Sequence, residues 1–282
     1  MLIAEVAWDK MAADGATAAR DHVASLAPLL KSRQAPYHFT TGSAWLDDVR
    51  SLTSGKWHYV LAPWSPGGRD FVEPPGPDAL RVINEKIATL RQGGLTDEEE
   101  ARDAYVVMHL VGDLHMPLHC VNHDGDILGT LVRLVGVPGV NTLHAFWDAG
   151  YKYDEVDGRL FIYSDPGKFW TPGQGGVSRW ARWLVEQHPP TLGTDCLVPE
   201  HWARESFRIA CTDGYSNLQN LPARKGVKRI VELKPGYAHR AYVDCCERIT
   251  LAGYRLANLL ESIYGSSSGH LAAQPAPSVQ PH

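Results

Sequence analysis

The chain reads as an all-α protein, one domain of packed helices with few short strands. Three observations say so. Apolar residues recur close to the 3.6-residue helical period through most of its length. Helix-start and helix-stop residues bracket several of those stretches. The runs that look extended are short and scattered. With 282 residues, 44% of them hydrophobic, there is enough apolar material for a substantial core.

Residues 2–32 read as helix, with Ile3, Val6, Ala7 and Met11, then Ala18, Val23, Leu26 and Leu30, at helical spacing. Gln34-Ala35-Pro36 ends it. Residues 43–52 read as a short helix with Ser43 as N-cap. K-W-H-Y-V-L at 56–61 reads as extended and runs into Pro63, and 64–77, rich in Pro and Gly, reads as loop. Helix is expected at 78–92, closed by Gly93-Gly94, and at 97–116, opened by the capping box Thr96-x-x-Glu99. Residues 120–140 are expected to be irregular, with a hairpin around Val132–Val140, before helix resumes near 142. Residues 151–175 read as loop, and 176–187, 199–215 and 236–264 as helices. The domain thus covers 1–264. From Gly265 on, the composition is that of a disordered tail, 265–282.

Composition narrows the function. A net charge of −5 gives no basic footprint for tracking a duplex, although bound cations can carry the local charge instead. The longest apolar runs fall far short of a membrane span. Glu5 and Asp9 interrupt the opening M-L-I-A-E-V-A-W-D-K, which therefore does not read as a signal peptide. Five cysteines, Cys120, Cys196, Cys211, Cys245 and Cys246, include no C-x-x-C, which disfavours a structural zinc-thiolate site. Nothing in the chain calls for an obligate protein partner.

The chemistry concentrates in one stretch. H-L-V-G-D-L-H-M-P-L-H at 109–119 places His109 and Asp113 four apart, on one face of a helix, with His119 six residues on. N-T-L-H-A-F-W-D at 141–148 repeats the spacing with His144 and Asp148. Mixed His and Asp donors without Cys suit zinc or another borderline divalent cation. Zinc takes about four ligands, so five candidates here suggest more than one metal, and an Asp can bridge a pair.

The first motif resembles the H-x-x-G-D-x-x-Q-P-L-H of the three-zinc single-strand nucleases, the S-one/P-one type fungal and plant bifunctional enzymes, which are related in fold to zinc phospholipase C. The second resembles their N-L-H-x-x-W-D. A-W-L-D at 44–47, W-H-Y-V at 57–60, W-A-R-E-S at 202–206 and G-Y-R-L-A-N-L-L at 253–260 extend the likeness in order from about residue 2 to 264. The resemblance implies that Asp47, His58, His109 and Asp113 hold one zinc and that His119, His144 and Asp148 hold a second. Asp113 would bridge to a third. It implies cleavage of single-stranded DNA and RNA to 5′-phosphates in a secreted or periplasmic enzyme, by in-line attack of zinc-activated water on phosphorus. Asp47 would orient the attacking group, Arg50 would stabilise phosphate charge and Tyr59 would stack on a base.

The departures are specific. L-I-A-E-V-A at 2–7 matches family sequence that follows W-G-x-x-G-H, so the third zinc's N-terminal ligands would fall before Met1. The expectation is that Met1 is an internal methionine of a longer gene. The alternative is a lost third site and a catalytically impaired zinc-binding chain. Leu61 and Ala149 stand where the family often has Asp and Asn, Leu128-Gly129-Thr130 replaces Gly-Gly-Asn, and Met116 replaces Gln. These changes fall on base recognition and open a phospholipase C-like or phosphomonoesterase activity as an alternative. His115 and His123 match no ligand position and are expected to be structural.

Overall fold

The computed structural model describes residues 1–51, 54–65, 68, 70–163, 175–190, 193–217 and 228–265. The expected tail lies outside them beyond Gly265. Among the described residues the architecture is helical: α1 (Leu2–Ala13), α2 (Thr17–Leu26), α3 (Phe39–Gly42), α4 (Trp45–Asp48), α5 (Ala79–Gln92), α6 (Asp97–His115), α7 (Leu143–Asp148), α8 (Gly176–Gln187), α9 (Pro199–Ile209) and α10 (Tyr237–Tyr264). Strands appear as short paired ribbons: β1 (Pro63–Trp64) with β2 (Asn122–His123), β3 (Val132–Val135) with β6 (Arg229–Glu232), and β4 (Tyr153–Val156) with β5 (Arg159–Ile162). No helix among the described residues is long and apolar enough to cross a membrane.

The long helices fall where the periodicity puts them. Asp78 caps α5 by accepting from the Arg81 N–H, and both arms of the Thr96–Glu99 capping box form at the start of α6. Six expectations are corrected. The helix over 2–32 breaks at Gly15, whose φ of +78° is open to glycine and costly to other residues. The helix over 43–52 shrinks to the single turn α4, with another single turn, α3, just before it, and Ser43 donates to the Thr40 carbonyl rather than capping. The extended run at 56–61 begins as a 3₁₀ turn, Ser54–His58. The hairpin at 132–140 is absent: β3 pairs in parallel with the distant β6, and a lone antiparallel bridge joins Arg133 to Thr142. Within 151–175, β4 and β5 form a hairpin across Asp157-Gly158, whose φ values of +52° and +71° are those of a type I′ turn. The helix at 199–215 is α9 followed by a wider π turn, Ala210–Gly214.

α10 is the spine. It packs against α1, α2 and α6, and buries Ala241, Cys245, Ala252, Leu256 and Leu259 in the main core. Two glycines let α1 come close. A β-carbon on Gly253 of α10 would stand 2.5 Å from Val6 Cβ and 3.1 Å from the Ile3 carbonyl oxygen. One on Gly112 of α6 would stand 3.3 Å from Ile3 Cδ1. Glu5 of α1, itself buried, accepts hydrogen bonds from Thr40 and Ser178 and so ties α1 to α3 and α8.

Behind α6, α10 buries two arginines. Glu205 of α9 accepts from Arg248 at 2.7 Å and from Arg255 at 2.7 and 2.9 Å. Arg255 also donates to His115 Nε2 at 2.9 Å, and His115 Nδ1–H donates to the Val111 carbonyl, so His115 is structural as expected. Burial alone would raise the Glu205 carboxyl, but the two arginines overcome it and bring it down to about 2.

Gly253→Ala forces α1 off α10 and is expected to cost about 1–3 kcal/mol of stability, read as a lowered urea midpoint. Glu205→Gln leaves two buried guanidinium groups short of a counter-charge. It is expected to cost about 2 kcal/mol at neutral pH, the loss being moderated by Glu205's partial exposure. The Glu205 carboxyl is depressed, so its contribution is complete above pH 4.5 and disappears as pH falls through about 2. Urea midpoints measured against pH should therefore converge for wild type and variant across that window.

Candidate metal centre

Five segments converge on one cleft. α6 presents His109 and Asp113 one turn apart. Pro117 starts a 3₁₀ turn, Pro117–Cys120, that swings His119 back toward Asp113. α7, capped by Thr142, presents His144 and Asp148. α4 supplies Asp47, and the turn Ser54–His58 supplies His58. The Val60 N–H donates to the His119 carbonyl at 2.7 Å, joining the His58 and His119 segments through the backbone.

The donors fall into two groups, Asp47–His58–His109 and His119–His144–Asp148. In the first, His58 Nδ1 lies 3.0 Å from His109 Nε2, 3.1 Å from Asp113 Oδ2 and 3.7 Å from Asp47 Oδ1. In the second, Asp148 oxygens lie 3.5 Å from His119 Nε2 and 3.3 Å from His144 Nε2, and the two rings stack 6° from parallel. Asp113 stands between them: Oδ2 faces the first group, and Oδ1 is 3.2 Å from His119 Nδ1 without hydrogen-bond alignment.

This donor set fits zinc. A tetrahedral ion with bonds of about 2.0–2.1 Å separates its donors by about 3.3 Å, and the distances above cluster there. Backbone carbonyls fix two of the rings. His109 Nδ1–H donates to the Ser43 carbonyl at 2.8 Å, and His144 Nδ1–H donates to the Leu128 carbonyl at 3.0 Å. Each leaves Nε2 facing the cleft.

The electrostatics match. Burial would raise the Asp113 carboxyl, but His109 and His119 outweigh it and hold it well below the usual carboxylate range. Burial would likewise lower His119 and His109, and Asp113 instead raises both. His144 is lowered by burial and stays neutral.

The comparisons decide the family. A family model described as S1/P1 Nuclease matches residues 1–265. The chain belongs to the S1/P1 nuclease family. It is 22% identical to Nuclease P1 of Penicillium citrinum over 248 residues, 79% of this chain and 84% of that one. Nuclease PA3 of a Penicillium species matches to the same extent. Endonuclease 2 of Arabidopsis thaliana is 26% identical over 159 residues, 56% of this chain and 50% of that one. As a member of the S1/P1 nuclease family, the chain is a hydrolase of phosphoester bonds.

Seven of the expected site residues meet in the cleft. The other two flank it in the chain. Arg50 is exposed three residues past Asp47, its N–H bonded to the Asp47 carbonyl, and Tyr59 is half-buried directly after His58. A cavity of about 330 Å³ opens beside the donors, lined by Asp113, His119 and Asp148 together with Met116, Arg248 and Ile249. The roles of the Ser43 and Leu128 carbonyls cannot be read from residue types, because a backbone acceptor has no residue signature. All five cysteines are free thiols, with Cys120, Cys245 and Cys246 buried.

Zinc added to the metal-free chain should raise its melting temperature until two equivalents are bound. At a free concentration 100 times Kd, each site should contribute about 2.7 kcal/mol. His58→Ala and His144→Ala should each remove one equivalent, as counted by calorimetry.

Proposed function

We propose that the chain is a zinc-dependent phosphodiesterase that cuts single-stranded DNA and RNA and leaves 5′-phosphates. The observation that carries this is the pair of histidine–carboxylate clusters facing each other across Asp113. Two-metal phosphoryl-transfer sites need such a pair, one stabilising the attacking oxygen and the other the leaving oxygen. On this reading Asp47, His58, His109 and Asp113 hold one zinc, His119, His144 and Asp148 hold another, and Asp113 is shared toward a third.

Zinc, when bound, supplies concentrated positive charge and lowers the pKa of water toward about 7. The protein supplies position. Asp113, kept ionised by its histidines, anchors both clusters. Asp47, 57% exposed at its side chain, can reach from the rim to accept a hydrogen bond from the attacking water and orient it. Arg50 adds fixed charge for the phosphoryl oxygens. Tyr59 offers a ring face to a base. With a chain charge of −5, the attraction for phosphate has to be local to this cleft. By the same family likeness the enzyme works outside the cytoplasm.

Leu61 and Ala149 favour a second reading, a phospholipase C-like or phosphomonoesterase activity, because each places an apolar side chain where a base edge would need a polar partner. The test is turnover by the zinc-loaded full chain on single-stranded DNA, duplex DNA, RNA, phosphatidylcholine and a phosphomonoester. Preferential cleavage of single strands to 5′-phosphate ends is expected. Arg50→Ala is expected to lower kcat about 100-fold with zinc content unchanged. Turnover of phosphatidylcholine or the monoester alone supports the second reading. Zinc binding without turnover identifies a metal-binding chain that has lost catalysis.

A further inference from the structure

The loop Asn122–Thr130 is held against its own preferences. Asp124, Gly125, Ile127, Leu128 and Gly129 have φ of +52°, +75°, +56°, +61° and +81°. Left-handed backbone costs a non-glycine residue about 1–2 kcal/mol, and a β-branched residue such as Ile127 adopts it rarely. Such a conformation persists only where its surroundings over-determine it.

Asp126, 2% exposed, does this from inside the loop. Its Oδ1 accepts from the Gly129 N–H at 3.1 Å and from the Tyr215 hydroxyl at 3.2 Å. Its carbonyl accepts from the Leu131 N–H at 3.1 Å. Tyr215 is immobilised in turn, fully buried and stacked on His123. Gly129 disfavours a side chain by its φ, and a β-carbon there would stand 3.3 Å from Leu118 Cδ1 and 3.4 Å from the His144 backbone nitrogen. The product of the fold-back is one carbonyl, that of Leu128, directed at His144 Nδ1.

We propose that Asp126 is the positioning residue for the metal ligand His144. Resting on the zinc reading above, the chain of action is short. Asp126 Oδ1 holds Gly129, the Gly129 turn aims the Leu128 carbonyl, and that carbonyl keeps the proton on Nδ1 and the lone pair on Nε2. Asp126 touches no ligand and no substrate. Its Oδ2 is buried without a partner, so the acceptor Oδ1 does the positioning. Asparagine at this position keeps that acceptor, and alanine does not.

The test uses the full-length chain. In chelator competition, Asp126→Ala is expected to weaken the zinc held with His144 about tenfold and the zinc at Asp47, His58 and His109 by less than about threefold. His144→Ala identifies which zinc is which. Asp126→Asn is expected to stay near wild type at both. Tyr215→Phe, a milder change that also serves if Asp126→Ala fails to fold, is expected to give a smaller loss at the His144 zinc alone. Nitrogen-15 spectra of the histidine side chains supply the second readout. The His144 Nδ1–H should be protected from exchange in wild type and exchange faster in Asp126→Ala. Equal loss at both zincs, an Asp126→Asn as weak as Asp126→Ala, or an unchanged His144 exchange rate overturns the assignment. A wild-type chain that binds no zinc refutes the metal reading instead, and the exchange comparison still decides the role of Asp126.

Discussion

The carboxylate of Asp113 is the constraint on which the cleft depends. It is ionised and largely buried, and its two oxygens face different histidine clusters. A buried carboxylate persists only with compensating positive charge. In the metal-free chain that charge comes from protons, because Asp113 raises both His109 and His119. Bound zinc would supply the same compensation with more charge. Its binding would exchange those protons for metal.

Small residues and backbone atoms hold the donor-bearing segments in place. Gly112, adjacent to Asp113, and Gly253 on α10 let α1 seat against both helices. The Val60–His119 backbone bond locks the two histidine-bearing turns together. Carbonyls of Ser43 and Leu128 set the ring tautomers of His109 and His144. None of these atoms contacts the donors' cleft-facing nitrogens, yet each limits where those nitrogens can point.

This explains what could be read in the sequence. His109 with Asp113, and His144 with Asp148, share helices, so the four-residue spacing alone placed each pair on one face. Asp47 and His58 sit on single turns with no period to detect, and only the ordered likeness to a family picked them out. Arg50 and Tyr59 came from the same likeness. The β3–β6 pairing joins residues about a hundred apart and has no local signature. The β4–β5 hairpin did have one, Asp157-Gly158, but the surrounding Pro and Gly obscured it. Asp126 was invisible for a different reason: its effect passes through a backbone conformation that its own residue type does not announce.

The wall behind α6 follows from charge balance. Arg248 and Arg255 share a single carboxylate, Glu205, which leaves one net positive charge in the core. His115 does not add to it, since burial and the two arginines hold it well below its ordinary value and therefore neutral. Arg248 lines the cavity that Asp113 and Asp148 also line. Without metal, the three carboxylates Asp47, Asp113 and Asp148 make the cleft acidic, in a chain whose total charge is −5. The surplus cation beside the same cavity offsets part of that field, and burial limits its screening by salt. The arginine pair therefore serves the packing of α9 on α10 and the potential of the cleft at once.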